Sequence, residues 1–265
     1  MFKVLTIAGS DSCGGAGIQA DIKTITACGM YAMSAVTALT AQNTAGVYGI
    51  LQTPADFISQ QLECIFTDIY PDAVKIGMLG NAAAAEAAAD TLSRFGARNV
   101  VIDPVMVSTN GDRLMNEDTV HVMFEKLFPL GTLITPNIPE AASLCGFDIK
   151  KREDMLRAAR ELSQKLPCAI LIKGGHLEAC ADDLLYEKGN AVWFRAERIQ
   201  NPNTHGTGCT LSSAVACGLA AGKSLTESVR EAKRYLTGAL ESMLDLGAGC
   251  GPVNHMYRIP PFASS

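Results

Sequence analysis

The sequence is low in charge and contains no long apolar run. Charged residues make up 18% of its 265 residues and hydrophobic residues 48%, which excludes intrinsic disorder and predicts a sizeable core. No stretch of 18 apolar residues occurs, so we expect no membrane-spanning helix and no membrane partner. The formal net charge is −5 and there is no basic block, so we expect no nucleic-acid partner.

Disulfide and zinc-site spacings are also missing. The nine cysteines are odd in number and scattered, without a CxxC pair or a His/Cys cluster. Most have apolar neighbours and are predicted to be reduced and buried. The first residues lack the apolar region and cleavage site of a signal peptide. These features predict a cytoplasmic protein.

Two common nucleotide-binding fingerprints are absent as well. Neither the dinucleotide motif GxGxxG nor the P-loop GxxxxGK[ST] is matched, which excludes a P-loop NTPase.

Short apolar runs alternate with longer helical patterns along the whole chain. Helix 53–66 is predicted to begin with Thr53 as the cap and Pro54 at the first helical position, and to bury Phe57 with Ile58. The alternation predicts one α/β domain over residues 1–265, with a mostly parallel sheet covered by helices on both faces. Predicted strands are 4–8, 32–39, 73–77, 100–103, 133–134, 169–173 and a hairpin of 184–186 with 192–194. One further helix is predicted to follow residue 15. The other main predicted helices cover residues 81–95, 208–221 and 225–246.

Four unusual segments lie where strands end, the edge at which open α/β sheets bind ligands. Residues 9–21 are rich in glycine and favour close backbone approach to a ligand, although an ordinary strand-to-helix turn explains them equally well. Asp103 ends another strand. Asn137 and Glu140 stand three residues apart at a helix start, where their oxygens suit either hydrated Mg²⁺ or a plain capping box.

The fourth segment, residues 203–214, runs from glycines and hydroxyls directly into an apolar helix. Consecutive backbone N–H groups at a helix start favour an anion hole. Cys209 falls at this start, where we expect its thiol pKa to be lowered. An inert cysteine in a glycine-rich loop is the alternative. His121, His176 and His255 are interpreted as surface or structural residues.

An anion hole, carboxylates that suit Mg²⁺ and a possible base together favour phosphoryl transfer. The residues by themselves lead to an ATP-dependent kinase of small molecules.

At these same positions the chain resembles the ribokinase superfamily, and within it the hydroxymethylpyrimidine/phosphomethylpyrimidine kinases of thiamine biosynthesis. The resemblance implies a ribokinase-like three-layer α/β fold and covers nearly the whole chain. The matching segments are TIAGSDSCGGAGIQAD (6–21), TALTAQNT (37–44), KIGML (75–79), DPVM (103–106), TPNIPEA (135–141), KGGH (173–176) and NTHGTGCTLS (203–212).

The resemblance implies two ATP-dependent steps at one site. 4-Amino-5-hydroxymethyl-2-methylpyrimidine becomes its monophosphate, and the monophosphate becomes the diphosphate. It also implies a homodimer. The implied pyrimidine contacts are Gly9, Asp21, Gln42, Met78 and Val105. Asn137 and Lys173 are implied for the nucleotide, Asp103 and Glu140 for Mg²⁺, and Gly206, Thr207, Gly208 and Cys209 for the anion hole, with Cys209 as the base.

Two departures from the family pattern and two alternatives remain. Cys13 stands where serine is usual, and Ser108–Gly111 (108–111) lacks the lysine of many members. A pyridoxal kinase of the same subfamily is one alternative, although Gln42-Asn43-Thr44 favours the pyrimidine kinase. A non-catalytic protein that binds a vitamin precursor is the other, which Asn137, Glu140 and Cys209 argue against.

Overall fold

A single sheet organises the computed structural model, which describes residues 1–106, 116–175 and 181–260. Its strands in the described residues are β1 (Lys3–Asp11), β2 (Tyr31–Asn43), β3 (Gly46–Gln52), β4 (Ala73–Ile76), β5 (Val100–Ile102), β6 (Leu133–Ile134), β7 (Ala169–Ile172), β8 (Asp183–Glu187) and β9 (Asn190–Phe194). These nine strands run in the order β3-β2-β1-β4-β5-β6-β7-β8-β9. The pairings from β2 through β1 to β7 are parallel, whereas β3, β8 and β9 join antiparallel.

Helices cover both faces of this sheet, each face with its own apolar cluster. The helices are α1 (Gly17–Ala27), α2 (Ala55–Asp68), α3 (Ala82–Phe95), α4 (Glu117–Val122), α5 (Ile138–Cys145), α6 (Arg152–Lys165), α7 (Thr207–Ala220) and α8 (Leu225–Glu241). One cluster joins the sheet to α2, α3, α5 and α6, and the other joins it to α1, α7 and α8. The predicted three-layer α/β fold with a mostly parallel sheet is therefore confirmed. None of the helices in the described ranges has the length and hydropathy that a membrane crossing needs.

Local sequence explains several of these boundaries. The alanine-rich helix α3 starts where Asn81 Oδ1 accepts a hydrogen bond of 2.9 Å from the Ala84 N–H. It ends at Gly96, whose φ of 61° is the left-handed conformation that glycine adopts easily. Lys188 and Gly189 both have positive φ between β8 and β9, which is the hairpin turn that the sequence predicts.

Three element predictions are wrong. Pro54, not Thr53, is the cap of α2, and neither side chain makes a capping hydrogen bond. Phe57 is exposed because it lies off the stripe formed by Ile58 and Leu62. Helix α8 ends at Glu241, five residues before the predicted end.

The cysteines are less buried than their apolar neighbours suggest. Among the eight that the structure describes, all are free thiols, but only Cys168 and Cys217 are fully buried and Cys64 is exposed. Cys180 lies outside the described residues.

Candidate active site

A cavity of about 490 Å³ lies beyond the carboxyl ends of the parallel strands, the edge at which the sequence places the ligand. Its walls come from the loops after β1, β4, β5 and β6, from β2 and β3, and from the start of α7. All predicted site residues except Asp21 line it: Gly9, Gln42, Met78, Asp103, Val105, Asn137, Glu140, Lys173, Gly206, Thr207, Gly208 and Cys209.

The two glycine-rich segments place two helix starts side by side at this cavity. Gly206 has a φ of 81°, and a Cβ there would overlap the backbone oxygen of Gly15. Gly17, the first residue of α1, has a φ of 56°, and a Cβ there would overlap the oxygen of Gly9. Only glycine fits either position. Both glycines line the cavity, so the backbone of each helix start lies against it. Paired helix N-termini favour an anion.

Cys209 stands in the first turn of α7, but its thiol is hard to ionise. Burial raises the pKa of Cys209 to about 11, and the carboxylates of Asp21 and Asp103 add to that rise. The Lys75 ammonium and the Gly17 N–H oppose it without cancelling it. The expected lowering of this pKa is therefore wrong, because desolvation outweighs the Lys75 charge and the Gly17 hydrogen bond.

Asp103 and Lys173 form a charged pair in the cavity wall. Asp103 Oδ1 accepts hydrogen bonds from Lys173 Nζ at 2.6 Å and from Thr135 Oγ1 at 3.1 Å. Burial would lower the pKa of Lys173, but Asp103 and Glu140 raise it overall. Lys173 therefore keeps its positive charge. A Cβ on Gly208 would lie 3.1 Å from Asp103 Oδ2 and 3.4 Å from Lys173 Nζ, so this pair sits directly against the α7 loop.

Asn137 and Glu140 form a capping box at the start of α5. Glu140 N donates to Asn137 Oδ1 at 2.9 Å, and Asn137 N donates to Glu140 Oε2 at 2.7 Å. The capping interpretation is thus confirmed, and a role in Mg²⁺ binding stays a prediction. Burial raises the pKa of Glu140 to about 7, with Lys173 opposing and Asp103 adding to the rise.

The donor atoms here fit a hydrated magnesium ion. Two carboxylates, those of Asp103 and Glu140, line one side of the cavity beside an amide oxygen. Mg²⁺ commonly takes one or two carboxylates, keeps several waters and completes its shell with substrate phosphates. Asp103 Oδ1 already accepts two hydrogen bonds, so the oxygens that keep a lone pair for a metal ion are Asp103 Oδ2 and the two oxygens of Glu140.

Asp21 does not reach the cavity, which corrects its predicted contact with a substrate. Its carboxylate is fully buried and accepts hydrogen bonds from Thr6 Oγ1 at 2.6 Å, Ser213 Oγ at 2.7 Å and Lys75 Nζ at 2.8 Å. These partners come from β1, α7 and β4, so Asp21 lies beneath the cavity floor.

Sequence reasoning missed Asp11 and His205, which lie in the cavity wall. His205 Nε2 is 2.8 Å from Asp11 Oδ2 and 3.4 Å from Gln42 Nε2. Burial would raise the pKa of Asp11, but hydrogen bonds from His205, Cys13 and Ala16 lower it to about 2. Asp11 and His205 each lie in a segment that the sequence singles out for its glycines. They are 194 residues apart, so no local pattern indicates that they are in contact.

The remaining histidines agree with their structural interpretation where they are described. His121 is exposed, and His255 is buried with its Nε2 3.1 Å from Thr210 Oγ1. His176 and the segment 108–111 lie outside the described residues.

Comparison with known proteins supports the resemblance. The family model for phosphomethylpyrimidine kinase matches residues 11–254. A hydroxymethylpyrimidine/phosphomethylpyrimidine kinase of Rhizobium meliloti is 47% identical, over 96% of this chain and 97% of that protein. The thiamine biosynthesis bifunctional protein ThiED of Geobacter sulfurreducens is 50% identical over 96% of this chain, which spans about half (52%) of that longer protein.

Solved structures of two kinds of kinase share the fold of this chain. A phosphomethylpyrimidine kinase from Clostridium difficile has a TM-score of 0.82 at 42% identity, covering 90% of this chain and 99% of that one. A Staphylococcus aureus pyridoxal kinase in complex with AMP-PCP and pyridoxal has a TM-score of 0.88 at 35% identity, covering 96% and 93%. The family model and the sequence identities indicate the same family. The chain belongs to the phosphomethylpyrimidine kinase family, and the sequence-based prediction of a ribokinase-like kinase is confirmed.

Proposed function

We propose that the chain, as one kinase domain, phosphorylates 4-amino-5-hydroxymethyl-2-methylpyrimidine with ATP and then converts the monophosphate to the diphosphate. The observation that carries this proposal is the cavity in which two helix starts face a charged cluster, in a chain of this family. Phosphoryl transfer depends mainly on positioning and charge stabilisation, and this cavity offers both.

The phosphate end of the cavity is formed by α7 and the charged cluster. Backbone N–H groups of residues 206–209 stabilise the charge on the transferred phosphoryl group. Lys173, which stays protonated, and Asn137 lie on the nucleotide side. Asp103 and Glu140 would hold Mg²⁺, which when bound neutralises phosphate charge. Relatives of known structure bind nucleotides at this fold, as the AMP-PCP complex of the pyridoxal kinase indicates.

The pyrimidine end is formed by the first half of the sheet. Gly9, Met78 and Val105 provide a largely apolar wall, and Gln42 provides an amide that both donates and accepts hydrogen bonds. A ring nitrogen next to an exocyclic amine offers the complementary acceptor and donor.

Cys209 is the proposed base for the substrate hydroxyl. The hydroxyl proton passes to the Cys209 sulfur while the oxygen attacks the γ-phosphorus and the bond to ADP breaks. Only the thiolate accepts a proton, and the pKa of about 11 leaves little thiolate at neutral pH. kcat/KM should therefore rise about tenfold per pH unit from pH 7 to pH 10. A flat profile would leave the loop N–H groups as the sole contributors.

The test is an ADP-release assay with the hydroxymethylpyrimidine, its monophosphate and pyridoxal as separate substrates. We expect turnover with the first two and a much lower kcat/KM with pyridoxal. Cys209→Ala keeps the backbone N–H groups and should lose about 10²-fold or more in kcat, with partial recovery in Cys209→Asp. Substrate should also protect Cys209 from alkylation. Turnover of Cys209→Ala within a few-fold of wild type would remove the base from the proposal.

Pyridoxal phosphorylation is the second candidate function. A Bacillus subtilis pyridoxal kinase in an ADP complex superposes with a TM-score of 0.89 at 38% identity, a closer overall match than the 0.82 of the Clostridium difficile enzyme. Sequence identity instead favours the pyrimidine kinase, at 42% against 38% for the pyridoxal kinase. Substrate specificity depends on individual cavity residues such as Gln42. A binding protein without catalysis would release no ADP with any of the three compounds.

A homodimer is the proposed assembly. The edge strand β3 exposes Tyr48 and Leu51 by 72% and 67%, and the neighbouring Leu39 of β2 by 51%. An exposed apolar strand at a sheet edge is suited to pairing with another chain.

A further inference from the structure

Lys75 and Asp21 form an ion pair that is completely removed from water. Lys75 Nζ lies 2.8 Å from Asp21 Oδ2, and both side chains have 0% exposure. Burying two charges carries a large desolvation cost, and well-packed apolar residues often replace such a pair without loss of stability. Stability alone therefore gives little reason for this pair. Its position beneath the cavity suggests another role.

The pair is tied to α7 one turn after Cys209. Asp21 accepts a hydrogen bond of 2.7 Å from Ser213 Oγ, and Ser213 lies four residues after Cys209 on the same face of the helix. Thr6 Oγ1 anchors the same carboxylate to β1 at 2.6 Å. The carboxylate thus fixes α7 relative to the sheet.

The ammonium lies directly under the cavity floor. A Cβ on Gly77 would come within 2.7 Å of Lys75 Nζ, and the next residue, Met78, lines the cavity. Lys75 therefore lies three residues before a residue that lines the cavity, and it is not itself part of the lining.

We propose that Lys75 is a positioning residue for phosphoryl transfer, whose buried ammonium stabilises the thiolate form of Cys209. Asp21 holds this ammonium in place and connects it to α7. The inference rests on the proposed role of Cys209 as the base, and it also explains why Asp21 is buried instead of meeting the substrate.

Electrostatics at the thiol supports this assignment. Burial raises the pKa of Cys209, the charge of Lys75 lowers it, and Asp21 and Asp103 raise it. Burial would lower the pKa of Lys75, but Asp21, Cys209 and Asp103 raise it overall, so Lys75 stays charged. The two members of the ion pair consequently act on the thiol with opposite sign.

The experiment measures alkylation of Cys209 by iodoacetamide between pH 7 and pH 11 in the full chain, resolved by peptide mass spectrometry. At pH 8, Lys75→Met should slow alkylation about tenfold and Asp21→Asn should speed it about tenfold, because a full charge is removed in each case. The double variant should return close to wild type. A role confined to folding would instead move both single variants in the same direction.

Lys233→Met is the matched control, because Lys233 also forms a mostly buried ion pair, with Asp183, away from the cavity. It should leave the alkylation profile unchanged. If Lys75→Met does not fold, Lys75→Gln takes its place, and slower alkylation there together with faster alkylation in Asp21→Asn supports the inference. Unchanged or slower alkylation in that variant, or equal shifts in both single variants, overturns it.

Turnover provides the second measurement. Lys75→Met should lower kcat about tenfold with little change in KM for ATP, and its pH profile should shift upward. If Cys209→Ala stays active, Cys209 is not the base. Alkylation of Cys209 in the Lys75 and Asp21 variants still measures how Lys75 acts on the thiol, so the two proposals can fail separately.

Discussion

Gln42 is the residue whose side chain tests the pyrimidine assignment most directly. Its amide lies in the cavity wall, 3.4 Å from His205 and within 3.2 Å of Thr40 Oγ1. Gln42→Leu should weaken binding of the hydroxymethylpyrimidine by roughly 1–3 kcal/mol, the cost of an unmade buried hydrogen bond. Calorimetry measures this affinity. Gln52→Leu, on the neighbouring strand and outside the cavity lining, is the control, and equal affinities in both variants would contradict the assignment.

His255 should make stability depend on pH. Burial lowers the pKa of His255 to about 4, and Lys23 and His205 add to the lowering, whereas the ordinary value is 6.5. Its contribution to stability is present above pH 6.5 and is lost as the pH falls to 4, because the unfolded chain binds the proton first. The loss amounts to about 3 kcal/mol over this range.

Urea unfolding of the wild type and of His255→Gln between pH 4 and pH 7 checks this dependence. The difference between the two proteins should shrink toward pH 4. His121→Gln, at an exposed position, should follow the wild type throughout. A constant difference between wild type and His255→Gln would mean that His255 does not titrate in this range.

At the residue scale, the sequence predicted which residues line the cavity far better than it predicted their burial and pKa. Asp21 is instructive, because Ile18 and Ile25 place it on the buried stripe of α1 by periodicity alone. The pKa of Cys209 was not predictable, since it depends first on burial and then on charges in α1, in β4 and after β5. Helix position is a local property, whereas desolvation depends on the whole fold.

The start of α5 is the element at which capping and catalysis are separable. Glu140→Gln keeps an oxygen for the Asn137 N–H, so the cap should survive with a change in Tm of a few degrees. If Glu140 also serves Mg²⁺ and ATP, kcat should fall by about 100-fold or more. Steady-state kinetics and calorimetry together measure the two effects.

Helix α6 supplies the comparison, because its Asp154 fills the same capping position away from the cavity, accepting from the backbone N–H groups of Lys150 and Lys151. Asp154→Asn should change Tm similarly and leave turnover intact. Parallel losses of Tm with normal turnover in both variants would reduce Glu140 to a cap.

Strand β3 shows why one element escaped sequence analysis. Its sequence GVYGILQ contains two glycines and does not alternate between apolar and polar residues. Most of the strand is exposed, so no buried face imposes a period of two. The buried parallel strands, by contrast, are short continuous apolar runs between helices and were predicted within a few residues.

At the scale of the whole molecule, the layer arrangement follows from the alternation of strands and helices, but the strand order does not. The order placing β1 between β2 and β4 is a long-range outcome of packing. The assembly of several chains lies further still from local sequence, and β3 offers its most direct test.

Tyr48→Glu combined with Leu51→Glu should weaken self-association at least about 100-fold, because two charges would be buried at the proposed contact. Sedimentation equilibrium over a range of concentrations measures this change. Met256→Glu, another exposed apolar position after α8, should leave association unchanged. If the wild type, the double variant and Met256→Glu associate with equal affinity, the interface lies elsewhere.

The backbone contact between Gly206 and Gly15 also has a consequence for the timing of folding. Two loops separated by about 190 positions must pack backbone against backbone before either helix start faces the cavity. Contacts of such long sequence separation form slowly, since a large loop must close first. A chain emerging from the ribosome therefore holds its central strands well before α7 arrives. Ligand binding becomes possible only after α7 has been made and has packed against the loop that follows β1.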